Sequence, residues 1–138
     1  HFDRGGNPAQ AHAWSLRAAE RARGVYAHAE ATDFLRIAER NAGSPADLAE
    51  VRVRLAGIAE STGKYNEAEE LCDLAIEWFA GAGDGPRALA LKLTRERVRG
   101  FLGQSAHRTL AACRELAGEA ARPGYERERV TLLLVLSR

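Results

Sequence analysis

From one end of this chain to the other, apolar and small residues recur every three to four positions, and no stretch alternates as a half-buried strand does. β-Branched residues are sparse and never cluster. The pattern is broken only at short Gly- or Pro-bearing sites: Arg4-Gly5-Gly6, Gly24 to Ala27, Gly43-Ser44-Pro45, Gly63-Lys64, Gly81 to Gly85, Gly103 and Arg122-Pro123-Gly124. A chain written this way can fold as helices and little else, so the expectation is an all-α protein.

Between these breaks the pattern predicts seven helices: Pro8 to about Arg23, His28 to Ala42, Ala46 to Thr62, Tyr65 to Phe79, Pro86 to Leu102, Ser105 or Ala106 to Ala121, and Tyr125 to Ser137. His1 to Asp3 reads as the tail of another. Asn7 before Pro8 is an N-cap followed by proline at the first helical position. Ser44, Pro45 and Asp47 resemble a capping box with Asp in place of the usual Glu or Gln. Predicted core stripes are Ala11, Trp14 or Ser15 and Ala18; Ala31, Phe34, Leu35 and Ala38; Leu48, Val51, Leu55, Ile58 and Ala59; and Ala68, Leu71, Cys72, Ala75, Ile76 and Phe79. Gly81 to Gly85 reads as the loosest linker. Links this short force successive helices to run antiparallel, which predicts a single domain over 1–138 with hairpins at about 8–42, 46–80 and 86–121 and a partial helix at 125–138.

Composition bounds the function. With 46% apolar residues in 138, the chain can bury a real core. Its 20 basic and 19 acidic residues leave a net charge of +1, without the basic excess of a nucleic-acid-binding domain. The longest apolar run, Leu132 to Leu136, falls far short of the ~20 residues that cross a bilayer. No secretory signal opens the sequence, and Cys72 and Cys113 lie in helical patterns without metal-site spacing, so they read as reduced packing residues of a cytoplasmic protein. The chain holds no Met and begins at His1, so it reads as part of a longer one. Its 27 Ala and 18 Arg, against 2 Lys, suit a GC-rich bacterial coding bias.

One segment carries a signature. Leu55-Ala56-Gly57-Ile58-Ala59 leads to Gly63-Lys64-Tyr65, then Ala68, Cys72 and Ala75, with small residues where two helices would touch and Gly where they turn. This resembles the tetratricopeptide repeat (TPR). Weaker copies place Ala11 with Ala18, Ala31 with Ala38, and Leu110 with Ala117. Arg52 stands where the family has its early Trp, and the copies are unevenly spaced. Strings such as those around Arg17 to Arg23 and Gly83 to Leu91 are similar to helical arrays of large bacterial signalling ATPases and transcription regulators. The resemblance implies hairpins stacked as a right-handed solenoid and protein–protein interaction as the function.

Catalytic motifs are missing from the linear sequence: no phosphate-binding Gly-rich loop, no HExxH and no GxSxG. His1, His12, His28 and His107 are scattered, and no cofactor is expected. Glu69, Glu70, Asp73 and Glu77 read as a solvated acidic face, and Glu50 with Arg54 as an i, i+4 pair. Lys92, Arg95 and Arg99 fall at i, i+3 and i+7, a basic stripe with Arg87 near its start. On a groove-lining helix such a stripe suits an acidic peptide end or a phosphate-bearing ligand. Arg52, Lys92, Arg95 and Arg99 are the predicted partner contacts. The expected role is a non-catalytic scaffold or adaptor that binds a protein or peptide, with no direct nucleic acid or membrane contact. A regulatory sensor array that binds a small ligand is the alternative, distinguished by a closed apolar pocket in place of an open polar groove. In the last helix, Val130, Leu133, Leu134 and Val135 form an apolar face that predicts either a following repeat or a homodimer.

Overall fold

A computed structural model describes residues 7–121 of the chain. Its described residues form six helices and no strand: α1 (Pro8–Gly24), α2 (His28–Arg40), α3 (Pro45–Ser61), α4 (Tyr65–Gly81), α5 (Gly85–Phe101) and α6 (Ala106–Ala120). The helical remnant at His1 to Asp3, the last helix and the dimer face at Val130 to Val135 lie outside the described residues.

The helix starts follow from their caps. Asn7 Oδ1 accepts from the amides of Ala9 and Gln10 at 2.9 and 3.4 Å, and Ser44 Oγ accepts from Asp47 at 3.1 Å. Four of the five links are tight turns of one kind. After α1, α3, α4 and α5, one residue with positive φ is followed by one whose amide reaches back five positions: Ala27 to Ala22, Lys64 to Ala59, Asp84 to Phe79 and Gln104 to Arg99, at 2.8–3.0 Å. In the first three of these, the residue closing one helix is also the N-cap of the next. Gly81 to Gly85 is therefore not a loose linker: α4 runs through Gly81, and Asp84 Oδ1 accepts from Arg87 at 3.2 Å to start α5.

Each helix packs on its neighbours in sequence, most heavily α1 on α2, α3 on α4 and α4 on α5. One buried cluster joins α1 through α5 around Leu35, Val51, Leu55, Cys72 and Phe79. A smaller one of Leu89, Leu93, Cys113, Leu116 and Ala120 holds α6 to α5. Ala59, Ala68 and Val98, with Tyr65 against them, form a third where α3, α4 and α5 meet. Ala68 has no room there, so Ala68→Leu is expected to cost about 1–3 kcal/mol through overpacking. Urea denaturation would measure it, and an unchanged midpoint would remove the close α3–α4–α5 contact.

Alternate helices are tied by ion pairs. Glu20 of α1 meets Arg54 of α3 at 3.7 Å, Arg36 of α2 meets Glu67 of α4 at 2.6 Å, and Glu50 of α3 meets Arg87 of α5 at 2.9 Å. Glu60 of α3 is gripped by both Nε and Nη2 of Arg97 on α5, the latter at 2.9 Å. Glu50 and Arg54 thus do not pair with each other as their spacing suggested. Each reaches across to another helix: Glu50 meets the half-buried Arg87, where partial burial strengthens a charge-assisted bond, and Arg54 meets Glu20 at the exposed surface.

Both cysteines are free thiols in helix cores. Burial pushes the Cys72 thiol up to about 11, and Glu60 and Asp73 push the same way against Arg95 and Arg97. In the unfolded chain the thiol ionises near its ordinary 9.0. This contribution is thus fully present below pH 9 and declines as pH rises from about 9 toward 11. Iodoacetamide at pH 8 is expected to leave Cys72 unlabelled in the native chain and label it in urea. Rapid native labelling would show a thiolate that this burial forbids.

Candidate functional site

The basic stripe is not open. Lys92, Arg95 and Arg99 are each half-buried and already hold carboxylates. Lys92 Nζ lies 3.3 Å from Glu119 of α6, Arg95 Nη1 2.9 Å from Asp73 of α4, and Arg99 Nε 2.7 Å from Glu69 of α4. Arg99 also reaches Glu96 at 3.0 Å, a carboxylate only 5% exposed that takes a second bond from Gln104 at 3.0 Å. The acidic face of α4 and the basic stripe of α5 are thus two halves of one seam. Of that face only Glu69 is half-buried; Asp73, although paired, stays exposed with Glu70 and Glu77. The stripe lines a cleft of about 330 Å³ between α5 and α6, where Glu96, Glu115 and Glu119 match its three cations.

Arg52 is different. On α3 it lines a separate groove of about 460 Å³ with Leu74, Glu77, Trp78, Gly81 and Ala82 of α4 and the turn after it. It makes no hydrogen bond or ion pair among the described residues, and its Nε is buried without a partner. The structure therefore separates the four predicted contacts, three in the α5 seam and one alone.

Another cavity involves residues that sequence reasoning did not single out as a site. It measures about 570 Å³ and lies between the C-terminal ends of α1 and α3, lined by Glu20, Arg23, Tyr26, His28, Glu60 and Ser61 together with Gly24, Gly57 and Ile58. Tyr26 stands on its rim. Its φ is +59°, in the left-handed region, where the three equivalent turns have Gly63, Gly83 and Gly103. A side chain there costs about 1 kcal/mol or more, yet the Tyr26 ring is 83% exposed and neighbouring Val25 is 75% exposed. The ring makes only an edge contact with His28, centroids 6.4 Å apart. His28 Nδ1 is buried without a hydrogen-bond partner. One signal could have found this place: Tyr26 stands two residues after Gly24, at the turn position glycine takes elsewhere.

The other described histidines, His12 and His107, form no cluster with it. His12 Nδ1 lies 2.8 Å from the Ala38 carbonyl and ties α1 to α2, and His107 is exposed at the start of α6. No group of His, Cys, Asp and Glu with the makings of a metal site occurs among the described residues, and no described helix is long and apolar enough to cross a membrane. No family model matches the chain, and neither does any curated protein or solved structure.

Proposed function

We propose that this chain is a TPR-like module of antiparallel hairpins, stacked as a right-handed solenoid. Its role is protein–protein interaction, holding a peptide segment or a neighbouring domain without chemistry of its own. The stacking is supported by the ties between alternate helices, which join residues 31 to 37 positions apart, a range that brackets one 34-residue repeat. The buried free thiols suit a reducing cytoplasm.

The observation that carries the binding role is Tyr26. A solvated aromatic ring in a conformation that favours glycine lowers stability and brings no internal packing in return, which is expected where the ring serves a partner. The cavity beside it is open and lined by charged and polar groups. That favours a peptide over the enclosed apolar pocket required by a small-ligand sensor of a signalling ATPase or transcription regulator. A ligand at Lys92, Arg95 or Arg99 would first have to displace Glu119, Asp73 or Glu69.

Tyr26→Gly separates stability from binding. Relief of the left-handed side chain is expected to raise stability by about 1 kcal/mol, read by thermal unfolding. The same variant is expected to lose most of its affinity for peptides selected on the wild-type chain from a random display library. Retained affinity in a stabilised variant would take the binding site away from this turn.

A further inference from the structure

The groove of Arg52 carries a more specific reading, which rests on the interaction role above and names the chemistry of what is bound. Seven arginines of the described residues are partly buried, and six of them hold a carboxylate: Arg36, Arg54, Arg87, Arg95, Arg97 and Arg99. Arg52 is the seventh, and among the described residues it has none. A guanidinium gives up hydration when its stem and Nε are buried, and that loss is ordinarily offset by a carboxylate. Here the offset is missing, and the buried Nε leaves a donor unsatisfied. Arg17, Arg21, Arg108 and Arg114 also make no ion pair in the described residues, but they are exposed and stay hydrated.

The rest of the groove states what should accompany the anion. Leu74, 44% exposed, and the half-buried Trp78 give an apolar wall of large side chains beside the guanidinium. Gly81 leaves its side open, since nothing lies within 4 Å of where a Cβ would stand. Glu77 lines the same groove, so a dianionic phosphate would meet more repulsion here than a singly charged carboxylate. We propose that this groove is a docking subsite for an acidic–apolar step of a partner segment: an Asp or Glu side chain on Arg52, with an adjoining large apolar side chain against Trp78 and Leu74.

The test uses the whole chain and a random dodecapeptide display library. Selected peptides are expected to share an Asp or Glu next to a large apolar residue. Replacing that acid by its amide should weaken binding at least tenfold, and Arg52→Gln should weaken it by a similar factor. The two changes together should cost no more than either alone, because each removes one side of the same contact. Arg52 holds no internal partner, so Arg52→Gln should keep the wild-type melting temperature. With Trp14→Phe as background, binding should also shift the emission of Trp78. Peptides that bind Arg52→Gln as tightly as wild type would overturn this subsite while leaving the interaction role standing. A phosphopeptide preferred over its carboxylate counterpart would overturn it as well. A library that yields no binder would overturn both readings.

Discussion

Leu35→Ala is expected to lower the unfolding free energy by about 2–5 kcal/mol, the largest loss from any single truncation considered for this chain. Leu35 is wholly buried in the cluster that joins α1 through α5. It sits on α2, the helix whose packing on α3 is lighter than that of α1 on α2 or α3 on α4. The cavity left behind would be walled by helices that cannot all move inward at once, which places the cost in the upper part of the range. Chemical denaturation followed by helix signal measures it. A loss under about 1 kcal/mol would mean that α2 collapses into the gap, and the common core across five helices would then be wrong.

Arg99→Ala should be the next most damaging change, at about 2–4 kcal/mol. Arg99 bonds Glu69 on α4 and the buried Glu96 on its own helix. Its own affinity for a proton is raised, first through its bond to Glu69 and also by Glu96, against the opposing effect of burial. Removing it leaves Glu96, only 5% exposed, with Gln104 as its one remaining side-chain partner. Arg99→Ala with Glu96→Leu should recover much of the loss, since the stranded charge goes with its partner. Failure of that rescue would show that Arg99 acts through packing of its stem. The same argument changes how the stripe is tested: charge reversal at Arg95 and Arg99 would set two new carboxylates against Asp73 and Glu69. Any fall in partner binding would then report damage to the fold.

The helices were legible in the sequence because local chemistry decides them. Asn7, Ser44 and Ser105 each accept an amide where the sequence put a cap or a helix start, and observed boundaries fall within about two residues of those expected. Core stripes were legible for the same reason: Ala31, Leu35 and Ala38 are buried, as are Val51, Leu55, Ile58 and Ala59. Phe34 and Leu48 are only partly buried, and between Trp14 and Ser15 it is Ser15 that is fully enclosed, with its hydroxyl donating to the Ala11 carbonyl at 2.7 Å. A small residue that satisfies its own polar group fits a close helix contact better than an indole does.

The candidate sites were less legible, because their meaning depends on what lies opposite. Lys92, Arg95 and Arg99 look alike in sequence whether they face water, a ligand or Glu119, Asp73 and Glu69. The acidic residues of α4 had the same ambiguity, and neither run reveals that it answers the other. Arg52 reads as one more cation until its neighbours show that it alone, among the half-buried arginines of the described residues, lacks a carboxylate. The strain at Tyr26 lies in a backbone angle, and a Tyr in a Gly-led turn gives only a faint hint of it.

The ties between alternate helices also bear on how the chain comes to be folded. The widest of them spans 37 residues, and the tight turns span far fewer. Small sequence separation between partners means little loop-closure entropy and rapid folding. At a synthesis rate of roughly 5–20 residues per second, each arginine follows its glutamate out of the ribosome within seconds in the pairs Glu20–Arg54, Glu50–Arg87 and Glu60–Arg97. The earlier helices can then be locked in register while the later ones are still being made.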